Sequence, residues 1–257
     1  MENSIKYKII VLSGKGGVGK STVATNLAVG LALNGLDVGL MDIDIHGPNI
    51  PKMLGIEGSR VQGRDGRIIP VSYGESLKVM SIGFLIPEED DPVIWRGPLK
   101  MNLIRQFVEQ TDWGNLDYLV IDSPPGTGDE PLSAVQSFKG LNGAIVVTTP
   151  QDVSLLDSKK AINFARALNI PILGIIENMS GFICPHCGEV TEIFKSGGGE
   201  RISLEMNVPF LGKIPIEPQI VTSSDEGKPY VYFYNRLKSA SIFEDIVNRV
   251  RATLEEI

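Results

Sequence analysis

Short apolar runs rich in β-branched residues recur at residues 8–12, 38–41, 118–121, 144–148, 172–176 and 210–214, set off by turn-forming Gly, Pro, Asn and Asp. Positions that are apolar consecutively rather than alternately predict strands buried on both faces, the habit of parallel sheets. Helix-length amphipathic segments lie at 21–33, 101–110, 154–168 and 239–255. Strand and helix in alternation predict an α/β fold: a doubly wound, mostly parallel sheet covered on both faces, with ligands at the carboxyl ends of the strands. Residues 58–76 break the alternation with turn signals such as Asp65-Gly66 between short apolar pieces, which predicts a small hairpin excursion.

Composition narrows the classes. The 257 residues are 42% hydrophobic and 21% charged, enough apolar material for one sizeable core, so a single domain spanning 1–257 is expected. A net charge of -7 gives no general attraction to nucleic acid or anionic lipid, and neither is expected as a partner. No apolar run reaches the roughly 18 residues of a membrane span, and the first eight residues lack a signal-peptide pattern. Cys184 and Cys187 stand too close together to staple a fold by closing a long loop. The cytoplasm is the expected compartment.

The chemistry concentrates after the first strand. Gly14-Lys15-Gly16-Gly17-Val18-Gly19-Lys20-Ser21 satisfies G-x-x-x-x-G-K-[ST] in a strand-loop-helix context, the pattern of a P-loop. Glycines let backbone amides converge on phosphates without Cβ atoms in the way, and the helix N-terminus adds its positive dipole end. Lys20 is expected on the β- and γ-phosphates and the Ser21 hydroxyl on Mg²⁺, with Thr22 beside it closing the nucleotide-binding set. Asp122, after the strand at 118–121, takes the Walker B position and would orient Mg²⁺ through water, while the Gly126 amide would follow the γ-phosphate as a switch. Asp42 and Asp44 follow another strand; Asp44 is expected to orient the attacking water, the plainer alternative for both being a capped turn.

The extra lysine within Lys15-Gly16-Gly17-Val18-Gly19-Lys20-Ser21 resembles the deviant Walker A of the SIMIBI ATPases, the class of MinD, ParA, nitrogenase iron protein and the Mrp/ApbC carriers. That resemblance implies that Lys15 acts on the partner subunit's nucleotide across a homodimer. Within the class the chain is most similar to the Mrp/ApbC iron-sulfur cluster carriers, through Asp42-Ile43-Asp44-Ile45-His46-Gly47-Pro48-Asn49-Ile50-Pro51, Trp95-Arg96-Gly97-Pro98, Asp122-Ser123-Pro124-Pro125-Gly126-Thr127-Gly128-Asp129 and Glu177-Asn178-Met179-Ser180. The same resemblance implies that Asn178 reads the adenine ring and that Pro215-Ile216-Glu217 forms the other wall of the base site.

Cys184-Pro185-His186-Cys187, in an insertion near 183–193, supplies two thiolates where a closed zinc or iron-sulfur site usually wants four. His186 is read as a spacer. A symmetric dimer would bring two pairs together at its axis, and the carrier resemblance implies a bridging 4Fe-4S cluster held by Cys184 and Cys187 of each subunit, handed on to apo-proteins under ATP control. A bridging structural zinc and a redox pair stay open as alternatives, as does a MinD/ParA-like positioning switch carrying such a zinc. Against the switch, residues 241–257 mix Arg249 and Arg251 with Glu244, Asp245, Glu255 and Glu256, unlike a basic membrane-binding tail. Gly197-Gly198-Gly199-Glu200 is read as a flexible helix entry, and His46 as a turn position.

Overall fold

The computed structural model of the protein describes residues 3–85, 97–235 and 237–256. The first half runs β1 (Ser4–Leu12), α1 (Lys20–Leu33), β2 (Val38–Asp42), the one-turn α2 (Ile50–Met53), β3 (Gln62–Arg64), β4 (Arg67–Ile69), β5 (Val71–Tyr73), β6 (Leu77–Ser81), α3 (Gly97–Gln110) and β7 (Asn115–Asp122). The second runs α4 (Asp129–Gln136), β8 (Gly143–Thr148), α5 (Asp152–Ala167), β9 (Ile172–Glu177), β10 (Phe182–Ile183), β11 (Val190–Thr191), α6 (Gly198–Glu205), β12 (Phe210–Lys213), α7 (Pro218–Asp225), α8 (Tyr230–Phe233) and α9 (Lys238–Glu255). Of the run Trp95-Arg96-Gly97-Pro98, the first two residues lie outside the described residues.

Eight strands form one sheet in the order β12-β9-β8-β1-β7-β2-β6-β5. All neighbours are parallel except β5, which runs antiparallel to β6 at the edge. The six strands expected from the apolar runs are present, and the sheet is covered on both faces as the alternation implies. One face packs α1, α8 and α9 through residues such as Leu27, Leu31, Tyr230, Phe243 and Val250. The other packs α3 and α4 through Ile104, Phe107 and Val135. Helix α1 is apolar nearly all round because it is sandwiched between sheet and outer helices, with an unbroken buried stretch from residue 23 to residue 31.

The hairpin excursion forms as β3–β4, with Asp65 and Gly66 both at positive φ, the backbone a two-residue primed turn demands. Beyond it the sequence reading misses β6, a core strand paired in register with β2 from Val38↔Leu77 to Asp42↔Ser81. Lys78 interrupts its apolar run; the lysine stem passes out so that Nζ donates to the Trp113 carbonyl at 2.7 Å. Helices α4, α6 and α7, each of eight residues, also escape the periodicity, too short to show a full amphipathic pattern.

Phe243 of α9 is 1% exposed and fills the core against α1 and α8. Phe243→Ala should lower unfolding free energy by about 3–5 kcal/mol, read as a reduced urea midpoint at unchanged slope.

Candidate functional site

Strand order and register assemble the site. Val11 of β1 lies opposite Asp122 of β7, and Asp122 lies opposite Asp42 of β2, so three neighbouring strands end at one spot on the carboxyl edge of the sheet. The loop from Ser13 to Gly19 turns out of β1 there and feeds α1, with Gly17 and Gly19 at positive φ, where a side chain would be strained. A cleft of about 190 Å³ opens over the loop, lined by Ser13, Lys15, Gly16, Gly17, Gly19, Lys20, Ser21, Thr22 and Asp44, and also by Asn49, Met53 and Pro125. Val18 is buried beneath the loop rather than lining it, and the Gly14 position has no space for a Cβ, which would fall 2.1 Å from the Asp157 carbonyl oxygen. Gly126 is tied to the loop by its amide, which donates to the Ser13 carbonyl at 2.8 Å.

Three carboxylates surround one ammonium. Lys20 Nζ donates to Asp122 Oδ1 at 2.5 Å and lies 3.9 Å from Asp44 Oδ2, with the lysine and Asp122 essentially buried. Asp42 is fully buried behind them; its Oδ2 accepts from Ser81 Oγ at 2.9 Å and its Oδ1 from the Asp44 amide at 3.1 Å. Burial, reinforced by the charge of Asp122, pushes Asp42 up to about 8. Burial also raises Asp44, against the opposing pull of Lys20. Each aspartate additionally caps a short turn, since Asp44 Oδ1 accepts from the His46 amide at 3.2 Å, so the turn-capping alternative is realised alongside the clustering. Asp122 Oδ2 is buried with no hydrogen-bond partner. The orphaned Asp122 oxygen and the Ser21 hydroxyl of the cleft, connected through Lys20, which lines the cleft and bonds Asp122, are oxygen donors of the kind a hard, partly hydrated divalent cation takes.

On the far side of β8, the end of β9 and the loop before α7 come together. The Ile214 amide donates to the Glu177 carbonyl and the Ser180 amide to the Ile214 carbonyl, so Asn178 and residues 214–217 run side by side. Asn178 Nδ2 donates to the Val18 carbonyl at 2.8 Å, which attaches this edge to the phosphate loop. Pro215 is buried. The Glu217 carboxylate turns inward, accepting from Tyr230 Oη at 2.5 Å and from Ser239 Oγ. Burial first, and then this carboxylate, holds the Tyr230 hydroxyl well above the usual phenol range.

The cysteines sit on the hairpin β10–β11. Cys187 is exposed and Cys184 half-exposed, both as free thiols. The turn is closed by the Cys184 amide on the Glu189 carbonyl and the Gly188 amide on the Cys184 carbonyl, each at 2.9 Å. Backbone N–H groups of Cys187 and His186, and then the Cys187 thiol, favour the thiolate of Cys184 and lower its pKa from the ordinary thiol value. His186 contributes through its backbone. Among the described residues no group of three or more His, Cys, Asp or Glu side chains converges as a metal site, so within them this pair has no third ligand close by.

Residues 4–251 match the family model described as NUBPL iron-transfer P-loop NTPase, within the ParA group. The chain belongs to this family of iron-transfer P-loop NTPases. It is 53% identical over 253 residues to an iron-sulfur cluster carrier protein of Methanocaldococcus jannaschii, covering 98% of this chain and 87% of that one. It is 49% identical to the cytosolic Fe-S cluster assembly factor CFD1 of Eremothecium gossypii, covering 96% and 92%. Among solved structures, a nucleotide-binding protein of Archaeoglobus fulgidus in complex with ADP superposes with TM-score 0.77 at 42% identity, covering 88% of each chain. MinD of Pyrococcus horikoshii, complexed with Mg-ADP, superposes at 0.72 with 26% identity, covering 97% and 96%. The NTPase thus joins a nucleotide-binding P-loop fold to an iron-sulfur carrier and assembly family, and no helix among the described residues is long and apolar enough to cross a membrane.

Sequence reasoning assigned no role to Ser13, Asn49, Met53 or Pro125 of this NTPase, all of which line the cleft. Asn49 and Pro125 lay within quoted motifs, so a signal existed; nothing in the sequence marks Met53. The glycine triplet is correctly a helix entry but is packed rather than flexible: a Cβ on Gly198 would lie 2.6 Å from the Pro150 carbonyl oxygen.

Because Asp42 holds its proton more tightly in the folded than in the unfolded state, its contribution is present below about pH 4 and is lost as pH rises through about 8. Without nucleotide or magnesium, Asp42→Asn should therefore gain stability relative to wild type progressively between those limits, measured by urea unfolding at a series of pH values; a difference that does not change with pH would contradict the raised carboxyl.

Proposed function

We propose that the protein is an ATP-binding and ATP-hydrolysing carrier that holds a 4Fe-4S cluster as cargo between two subunits and passes it to apo-proteins. The observation that carries this reading is the surface pair Cys184–Cys187, with the Cys184 thiolate favoured and no third ligand among the described residues, in a chain of the iron-transfer family. A homodimer doubles the pair to four thiolates about its axis, the number such a cluster takes. An exposed cluster held half by each subunit is open to exchange when the dimer shifts. The whole chain acts as one ATPase domain, and the similarity to a cytosolic assembly factor supports a cytoplasmic setting.

In the nucleotide site, amides of the glycine loop and Lys20 take the phosphates, and Lys15 reaches the nucleotide of the other subunit, making ATP part of the dimer interface. Ser21 and Asp122 hold Mg²⁺, the latter through water, and the ion when bound neutralises charge on the phosphates. Asp44, at the cleft and 3.9 Å from Lys20, orients the attacking water, while the Gly126 amide exchanges its bond to the Ser13 carbonyl for the γ-phosphate and so senses it. Asn178 and the backbone of residues 215–217 border the base, with the inward Glu217 carboxylate holding that wall in place through Tyr230 and Ser239.

Asp44→Asn should lower kcat for ATP hydrolysis by about 10²-fold while leaving ATP affinity close to wild type; equal loss of affinity and turnover would instead make Asp44 a binding group. For the cargo, anaerobic reconstitution with iron and sulfide should give about four irons per dimer, with both Cys184→Ala and Cys187→Ala losing them in iron counting, absorption spectroscopy and sizing. An ATP-binding dimer with no cysteine-dependent iron would overturn the carrier reading in favour of zinc.

A further inference from the structure

Glu177, the last residue of β9, is 0% exposed, and its carboxylate is spent on the entry and exit of the cysteine hairpin. Oε1 accepts from Ser180 Oγ at 2.5 Å and from the Gly197 amide at 2.9 Å; Oε2 accepts from the Gly199 amide at 2.5 Å. Ser180 begins the outgoing limb and also contacts Ser196 Oγ on the returning limb at 3.0 Å. From Ser180 the outgoing limb continues along residues 214–216, with the Ile216 amide on the Gly181 carbonyl at 2.7 Å and the Ile183 amide on the Ile216 carbonyl at 3.2 Å, directly before Cys184. The returning limb enters α6 through glycines whose missing side chains admit this clamp: a Cβ on Gly199 would lie 3.0 Å from Glu177 Cβ. Both limbs of the hairpin are therefore gripped by one carboxylate.

The neighbouring residue grips the phosphate loop. The Asn178 amide group bonds the Val18 carbonyl, and it fills the space where a Cβ on Gly19 would stand, 2.1 Å from Nδ2. Between Asn178 and Ser180, Met179 is held at φ 57, a left-handed conformation that a non-glycine residue keeps only when its surroundings impose it. The Val18 carbonyl is thus connected to Asn178, to Glu177 by the shared backbone, and to both limbs of the hairpin through buried packed groups, the kind of contact that does not deform continuously.

We propose that Glu177 is a positioning residue that couples nucleotide occupancy of the phosphate loop to the placement of Cys184 and Cys187. The coupling rests on the reading that nucleotide and cysteine sites serve one cycle. It gives a physical reason for Glu177-Asn178-Met179-Ser180 and Gly197-Gly198-Gly199 in the same chain: one motif is the clamp and the other is what it closes on. Glu177→Gln would offer one acceptor oxygen in place of two and turn its NH₂ toward the amide N–H of Gly197 or of Gly199, so the returning limb loses one of its two amide bonds to the clamp.

The test uses the full chain free of metal, so it does not depend on cluster assembly. Alkylation of Cys184 and Cys187 by iodoacetamide is followed by mass spectrometry with and without a non-hydrolysable ATP analogue and Mg²⁺, with sizing and analogue affinity measured on the same samples. Wild type should change its alkylation rate about fivefold on binding the analogue, the lower end of usual coupling, whereas Glu177→Gln and Ser180→Ala should bind the analogue with wild-type affinity and assembly yet lose that response. Variants that keep the full response, a wild type that has none, or variants that lose nucleotide affinity would each overturn the proposal. Should Glu177→Gln fail to fold by circular dichroism, Ser180→Ala, which removes a single hydroxyl, decides. Failure of the carrier reading would appear separately, as absent cysteine-dependent iron on reconstitution.

Discussion

The buried contact between Lys20 and Asp122 organises the carboxyl edge of the sheet. One ammonium faces Asp122, Asp44 and, behind them, Asp42, an excess of carboxylates in a place where an unpaired charge costs several kcal/mol. The molecule meets part of this excess by pushing Asp42 toward its neutral form, while Asp122 keeps one oxygen unbonded. The unbonded oxygen leaves room for a further positive charge beside the glycine loop, a combination that suits a cation and a polyphosphate arriving together.

Strand order then decides what lies near this pair. β1 and β9 are separated in the sheet only by β8, so their carboxyl ends stand roughly 10 Å apart at ordinary strand spacing. The phosphate loop leaves the first and the cysteine hairpin leaves the second. Asn178 spans the gap by bonding the Val18 carbonyl, which makes two sites distant in sequence a short walk apart in space. The resemblance to both MinD and an ADP-complexed protein of Archaeoglobus fulgidus at the level of fold fits a common nucleotide platform.

Much of this was legible in the chain. Long buried strands announce themselves by consecutive apolar residues, and the glycine loop is readable because its chemistry tolerates few substitutes. β6 was not, because a single lysine with an escaping stem disguises a core strand. The site residues Lys20, Asp44 and Asp122 could be named in advance, yet their mutual distances depend on register between β1, β7 and β2, which local pattern does not carry. The same is true of Glu217: its motif suggested a ligand wall, whereas its carboxylate turns to Tyr230 and Ser239, residues 13 and 22 positions further on. Glu177 stood inside a recognisable motif, but only the packed glycines of α6 reveal what its oxygens hold.

Residues 185–195 are exposed without a break, and the hairpin they belong to has a ladder of only two residue pairs. A two-stranded hairpin without a core is marginally stable alone, and each backbone residue ordered forgoes roughly 1–2 kcal/mol of conformational freedom. Order at the tip therefore comes from its base, where the Glu177 carboxylate holds both limbs. On the proposed carrier reading, releasing a cluster would return conformational freedom to the tip, and that entropy would offset part of the cost of breaking metal–thiolate bonds.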